Sequence, residues 1–313
     1  MTAAVVIVTY NSAGAIGDAL RPLCDAGFEI VVVDNASDDA TREIVTRRHP
    51  GVRLIVNPRN VGFATAVNQG WRSSAADFVV LVNPDCVVDA DTVRALVARL
   101  EALPEAAIAG PRLMHPDGTI AVSAHPFESL TSVVLSRFGG SLVPVGLRRR
   151  FSGRRRRDAY TACLDATGVH DVDWLSGACM AIRHQFLADT GGLDERYFLY
   201  YEDEDLCWQA HQQGWRVIYD ADARATHAGG ASSSVGEAWP HLYRSMLLFF
   251  STHRPGQYTA VRGAVLVRSA LGLTLASARR LVGDDSAPAR LAAWRTIAGI
   301  AARPPRDSIV GVA

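Results

Sequence analysis

Lysine is absent: all 32 basic residues of this 313-residue chain are arginine. No side chain can therefore form a lysine Schiff base. A triphosphate would also lack the compact ammonium that nucleotidyltransferases usually supply. Cysteine is sparse. The five, Cys24, Cys86, Cys163, Cys179 and Cys207, are scattered without a C-x-x-C pair. That argues against a zinc site or redox dithiol, and an odd count suits a reducing compartment better than a disulfide framework. Excess charge of one sign is missing too, since 32 basic residues balance 32 acidic ones, so the overall charge does not point to nucleic acid. The N-terminus shows neither the basic stretch nor the long apolar run of a signal peptide, and Ala3–Val8 reads as a first strand. After that strand the glycines fall at Gly14 and Gly17, without the G-x-G-x-x-G spacing that lets backbone approach a dinucleotide.

What is present is ordinary globular composition, 49% hydrophobic and 20% charged, in a chain long enough for one large α/β core and a tail. The first third alternates short apolar runs with amphipathic stretches, which predicts βαβ units and a mainly parallel, doubly wound sheet. Strands are expected at Ala3–Val8, Glu29–Val33, Val52–Val56 and Phe78–Val82. Helices are expected at Ile16–Ala26, Ala40–Arg48, Gly62–Ser73 and Asp91–Leu103. From Gly110 to Ser234 the pattern is irregular and richer in Trp, Tyr, His and Asp, as in a half that builds a pocket. After Ala238 it turns helical.

Three segments carry chemistry. Val8-Thr-Tyr-Asn11 and Val33-Asp-Asn-Ala-Ser37 follow two apolar strands, and ligands of open parallel sheets bind where strand ends diverge. Asp34 could accept the imide N–H of uracil or thymine, with backbone of Thr9 and Tyr10 framing the base. The same residues equally suit a turn and a helix cap. Asn83-Pro-Asp85 follows the fourth strand. Pro84 keeps Asn83 out of the helical region, and an acid there can share a hard cation with diphosphate oxygens. A plain strand-ending turn is the competing account. Tyr200-Tyr-Glu-Asp-Glu-Asp205 sets four carboxylates before a helix that stops at Gly214. Capping by the helix dipole explains one or two acids, each stabilised by about 0.3–1 kcal/mol. Crowding raises a carboxylate's pKa and suits a general base. His227, in a glycine-rich turn after the apolar run Trp215–Tyr219, is either structural or a metal ligand. A carboxylate and an imidazole suit Mg²⁺ or Mn²⁺, with a tilt towards Mn²⁺.

Taken in order, Val8–Asn11, Val33–Ser37, Arg59-Asn-Val-Gly-Phe63, Asn83–Asp85, Trp174-Leu-Ser-Gly-Ala178 and Tyr201-Glu-Asp-Glu-Asp-Leu206 resemble the family 2 glycosyltransferases of GT-A fold, rhamnosyltransferase-like branch. Gly192–Phe198 and His115–Thr119 add to the likeness, which covers roughly residues 3–235. The resemblance implies an inverting transfer from a nucleoside-diphosphate sugar, dTDP-L-rhamnose favoured, to a polyprenyl-diphosphate-linked acceptor such as the GlcNAc-bearing lipid. The donor residues would be Thr9, Tyr10, Asn11, Asp34, Asn35, Asn60, Gly62, Phe63, Asn83 and Asp85, the last acid of a D-x-D motif in which Asn83 replaces the first. Trp174, Ser176, Gly177, Ala178 and Glu202 would line the acceptor side. Asp203 would be the catalytic base, and Asp85 and His227 would hold Mn²⁺ or Mg²⁺. Residues 1–109 would then form the nucleotide-sugar half, 110–235 the acceptor and catalytic half, and 236–313 a helical extension. The alternatives are a transferase using a UDP-sugar or a soluble acceptor, and a catalytically silent nucleotide-sugar-binding protein.

The run Arg148–Arg157 and the C-terminal helices share an expectation. Anionic head groups attract each nearby arginine by about 1 kcal/mol. Arg262 and Arg268 interrupt Tyr258–Val282, which argues against a spanning helix of ~20 apolar residues and for one lying at the interface. Peripheral attachment to the cytoplasmic face of the membrane follows, with core packing or a homodimer contact as the competing role.

Overall fold

Each apolar run of the first third becomes a strand in the computed structural model, which describes residues 2–137, 166–229 and 235–303. The run Arg148–Arg157 lies outside the described residues. In chain order come β1 (Ala3–Thr9), α1 (Ile16–Leu20), β2 (Glu29–Asp34), α2 (Thr41–Arg48), β3 (Arg53–Val56), α3 (Phe63–Arg72) and β4 (Phe78–Val82). Then follow β5 (Cys86–Val88), α4 (Ala90–Ala102), β6 (Ala106–Met114), β7 (Ile120–Ala121), β8 (Ala124–His125) and α5 (Leu130–Arg137). The next elements are β9 (Val169–Asp171), β10 (Trp174–Leu175), β11 (Cys179–Arg183), α6 (His184–Thr190), α7 (Glu202–Gln212) and β12 (Arg216–His227). Three helices remain, α8 (Val235–His253), α9 (Pro255–Leu281) and α10 (Ala287–Ala302). The helix expected over Ile16–Ala26 stops at Leu20, because Pro22 has no N–H to continue the ladder.

The chain divides into two units. The first comprises Met1–Phe127, Asp158–Glu195 and Glu202–Ser232. It is built on one sheet of order β3-β2-β1-β4-β11-β6-β12-β5. Strands β3, β2, β1 and β4 are parallel, as are β6 and β12, but β11 runs antiparallel to both of its neighbours. The expected α/β fold with a mainly parallel sheet is present, and β11 is an antiparallel strand within it.

Alternation along the strands feeds two layers. Val6, Val8, Val31, Val33, Val79 and Leu81 face one core, covered by Ala64, Val67 and Trp71 of α3. Val5, Ile7, Val32, Val80 and Val82 face the other, under Leu20 of α1, Val45 of α2 and Leu96 of α4. Each fully buried Val, Ile or Leu contributes about 1.5–3 kcal/mol relative to exposure. Helix α3 can lie on β1 because residue 70 is glycine: a Cβ there would stand 2.4 Å from Val6 Cγ1. The registers pair Thr9 with Asp34, Cys179 with Val82 and His227 with Cys86. They bring the carboxyl ends of β1, β2, β4 and β12 and the start of β11 to one edge.

The second unit comprises Glu128–Arg157, Arg196–Tyr201 and Ser233–Ala313, and its described residues are mostly helical. Helix α9 has 27 residues, about 40 Å at 1.5 Å per residue. By length and composition it is long and apolar enough to cross a membrane. The two arginines that argue against spanning are occupied within the unit. Arg262 donates to the carbonyls of Ala301 and Ala302 at 2.6 and 2.8 Å, and the Arg268 guanidinium lies 4.6 Å from the Trp294 ring centroid.

Candidate active site

At the β1–β2 edge, Asp34 is fully buried. Its carboxylate accepts the Thr9 hydroxyl at 3.1 Å and the Ser37 N–H at 3.0 Å, and the Arg42 guanidinium stands 3.6 Å away. Asn35 N–H donates to the Thr9 carbonyl at 2.8 Å. Asn11 donates its N–H to Ser37 Oγ and accepts the Asp38 N–H, both at 2.9 Å. Asn11 and Ala36 both hold positive φ, 51° and 63°, a conformation that costs non-glycine residues energy and recurs at functional loops. Tyr10 is 43% exposed, so the accessible surface of this edge belongs to Tyr10 and Asn11, while Asp34 braces it from below.

A chain of amides ties the next loop to that edge. Gln69 and Asn57 exchange hydrogen bonds of 2.8 and 3.0 Å, Asn57 donates to Asn35 Oδ1 at 2.9 Å, and Asn35 donates to the Gly62 carbonyl at 3.1 Å. Asn60 Oδ1 accepts the Gly62 N–H at 3.0 Å. Gly62 has φ of 90°, which glycine alone adopts freely, and it hands the chain to Phe63 at the first turn of α3.

Asn83-Pro-Asp85 closes a tight turn: the Cys86 N–H donates to the Asn83 carbonyl at 3.0 Å, with Pro84 at the position that favours a fixed φ. Strand β12 runs on to His227, beyond the short apolar stretch visible in the sequence. His227 Nε2 lies 3.2 Å from Asp85 Oδ1, with the side chains 21% and 7% exposed. Ligands at neighbouring corners of an octahedral ion with bonds of about 2.1 Å stand about 3 Å apart, so one oxygen and one imidazole at this separation fit two positions of such a cation. Among the described residues no group of three or more His, Cys, Asp or Glu is arranged to hold a metal ion. Further ligands would have to be oxygens of a bound molecule or water.

The acids of α7 spread around its first turn. Asp203 Oδ2 accepts the Gly177 N–H at 3.0 Å and Oδ1 accepts the Glu204 N–H at 2.8 Å. Burial raises the Asp203 carboxyl above the ordinary aspartate range, against the opposing pull of those N–H groups. Glu202 is buried, with Oε2 lacking a hydrogen-bond partner. Burial first, and then the neighbouring Asp203 charge, push it well above the usual glutamate range. Two residues of the turn between β10 and β11 join this helix to the Asp85 turn: Gly177 donates its N–H to Asp203, and the carbonyl of the next residue, Ala178, accepts the Asn83 N–H at 2.9 Å. Ser176 N–H donates to the Ser123 carbonyl at 2.8 Å, and Trp174 Nε1 donates to the Pro126 carbonyl at 3.1 Å. The first turn of α7, the Trp174–Ala178 segment and the Asn83–Asp85 turn thus meet, and Thr9 to Phe63 occupy the adjoining strand ends.

Sequence reasoning missed Arg42, Asn57, Gln69 and His125. The His125 ring stacks on Trp174 with centroids 4.3 Å apart, and burial pushes its pKa down to about 4, so it is neutral near pH 7. Asn57 belongs to no motif, and only the three-dimensional path from α3 to β2 shows its role.

The chain is similar in sequence and fold to known proteins. The pattern of the family described as "Glycosyl transferase family 2" matches residues 4–143. An N-acetylglucosaminyl-diphospho-decaprenol L-rhamnosyltransferase of Mycobacterium tuberculosis is 29% identical over 85% of this chain and 91% of its own length. Rhamnosyltransferase WbbL of Escherichia coli is 25% identical over 71% of this chain and 82% of its own. Among solved structures, a mannosyltransferase of Pyrobaculum calidifontis in complex with GDP-Man and Mn²⁺ superposes with a TM-score of 0.54 at 17% identity, covering 96% of this chain and 85% of that one.

Proposed function

We propose that the chain is a family 2 glycosyltransferase of GT-A fold and that it moves L-rhamnose from dTDP-L-rhamnose, with inversion, to a hydroxyl of a polyprenyl-diphosphate-linked sugar such as GlcNAc. The observation that carries this reading is the hydrogen-bonded link from Asp203 through Gly177 and Ala178 to Asn83, which sets a basic carboxylate beside the turn that bears Asp85. Relatives named for rhamnosyl transfer to a lipid-linked acceptor support the donor and acceptor.

In this scheme Tyr10 and Asn11 carry the base, and Asp34 supports them. An imide N–H would meet the buried Asp34 carboxylate in place of its present partners, the Thr9 hydroxyl, the Ser37 N–H or the Arg42 guanidinium. Asn35, Asn60, Gly62 and Phe63 flank the diphosphate, held in place by Asn57 and Gln69. Asp85 and His227 would hold Mn²⁺ or Mg²⁺, which when bound neutralises charge on the leaving diphosphate. Trp174, Ser176, Gly177, Ala178 and Glu202 seat the acceptor sugar. Asp203 takes the acceptor hydroxyl proton onto its carboxylate as that oxygen attacks the anomeric carbon from the face opposite the diphosphate, through an oxocarbenium-like transition state. The two N–H groups on Asp203 fix its orientation, and its raised pKa lets it hold the proton at the end of the step.

Thymine and uracil share the imide N–H, so a UDP-sugar is the competing donor. A lipid-linked acceptor further places the enzyme on the cytoplasmic face of the membrane. The test is a panel of nucleotide sugars, with and without Mn²⁺, scored by thermal shift and by transfer to a GlcNAc-diphospho-lipid. Transfer from dTDP-L-rhamnose supports the reading. Transfer from a UDP-sugar alone replaces the donor, and binding without any turnover marks a silent binding protein.

A further inference from the structure

Helix α9 has two different long faces. One is buried: Val261, Val265, Ser269, Gly272 and Ala276. It is fastened to α10 at Gly272, where a Cβ would stand 2.3 Å from the Trp294 ring, and by the Arg262 and Arg268 contacts to Ala301, Ala302 and Trp294 described above. The other face is exposed and apolar. Val267, Leu271 and Leu275 recur every four residues at 56%, 49% and 61% exposure, with Leu266 at 38% beside them and Leu281 and Val282 at 89% and 82% beyond. An i, i+4, i+8 row is one continuous stripe along a helix. Scattered exposed leucines need no explanation, but a contiguous stripe marks a surface that meets something apolar.

Charge identifies the occupant. Helices α9 and α10 carry six arginines, Arg262, Arg268, Arg279, Arg280, Arg290 and Arg295, and no acid. The stripe's next position after Leu275 is Arg279. The nearest acids in sequence, Asp284 and Asp285, sit in the turn between the helices, where Asp284 lies 3.6 Å from Arg279. A second copy meeting this face would offer these arginines no acid from either helix. An anionic lipid surface would receive the leucines in its acyl boundary and the arginines at its head groups.

We propose that α9 lies in the plane of an anionic bilayer, inserting the Val267, Leu271 and Leu275 stripe while its opposite face stays docked on α10. This deepens the membrane attachment proposed above by naming the surface and orientation. Spanning by α9 alone, which the helix's length allows, would strip it of Trp294 and the Ala301 and Ala302 carbonyls.

The experiment is co-sedimentation of the full chain with phosphatidylcholine vesicles with and without phosphatidylglycerol, for the wild type and for Leu271→Asp/Leu275→Asp. The substituted side chains are exposed, so thermal melting and nucleoside-diphosphate binding should match the wild type. The wild type is expected to bind the anionic vesicles and to be released by alkaline carbonate, and the double variant to lose about tenfold or more in affinity. Four results would overturn the proposal: no wild-type binding, equal binding by the double variant, retention through the alkaline wash, or a wild-type dimer without lipid that the variant dissociates. Because the assay needs no sugar donor, failed rhamnosyl transfer with intact vesicle binding would count against the enzymatic reading alone.

Discussion

Asp203→Asn separates chemistry from folding. The carboxylate accepts one main-chain N–H on each oxygen, Gly177 at 3.0 Å and Glu204 at 2.8 Å. An amide can accept only one of them, and its NH₂ then faces the other N–H, leaving a donor unpaired at a cost of about 1–3 kcal/mol. Removing a carboxylate whose charge burial already disfavours offsets part of that, so the variant should stay folded. The rate loss is larger. An amide takes no proton, and losing a general base costs about 10²–10⁴-fold, which is about 2.7–5.4 kcal/mol at 1.36 kcal/mol per decade. The assay is initial nucleoside-diphosphate release at saturating donor and acceptor, beside a calorimetric titration with the donor nucleotide. Turnover should fall by that factor while donor affinity holds. The wild-type rate should also begin to fall on the acid side above the ordinary aspartate value of 3.8, since the base works as an anion and its pKa is raised. A variant that turns over like the wild type would remove Asp203 from the reaction.

His227→Ala should raise the Mn²⁺ concentration for half-maximal rate by about 10–100-fold, read by metal titration after chelation, with excess Mn²⁺ restoring activity. Gly70→Ala places a Cβ 2.4 Å from Val6 Cγ1 and should cost about 1–3 kcal/mol by overpacking, seen as a lower midpoint in a denaturant melt with unchanged slope. Glu202→Gln should stabilise the fold in a pH-dependent way. The glutamate's folded pKa is raised above 4.5, so its penalty is absent below that value and grows as pH rises towards the folded pKa. The Tm advantage of the variant should therefore be small in acid and larger at neutral pH, and an advantage independent of pH would contradict the assignment.

The strands were legible because each is a local pattern. Phe78–Val82 is uniformly apolar and therefore central, and Gly62 sits where only a glycine is comfortable. Antiparallel β11 was not legible. Cys179–Arg183 is a short apolar run like the others, and its direction is set by pairing with Phe78–Val82 and β6, both distant in sequence. The carboxylates at 85 and 203 were identified separately, but their connection runs through main-chain groups of Gly177 and Ala178, which carry no side-chain signal. His227 was visible as a candidate, and the length of β12 that delivers it to Asp85 was not, because Asp220 and Asp222 interrupt its apolar run. The exposed face of α9 also escaped notice: Gly272 looks like a weak point in a helix until Trp294 is seen against it.

The central claim is that Asp85, His227 and Asp203 serve one bound donor and acceptor. The most direct measurement is a crystal structure of the chain with dTDP and Mn²⁺. The account predicts the nucleotide along the Tyr10–Asn11 edge, the metal bound by Asp85 and His227, and open space between the diphosphate and the Asp203 carboxylate large enough for two sugars to meet. A metal bound elsewhere, or a nucleotide with Asp203 turned away from its diphosphate, would contradict it.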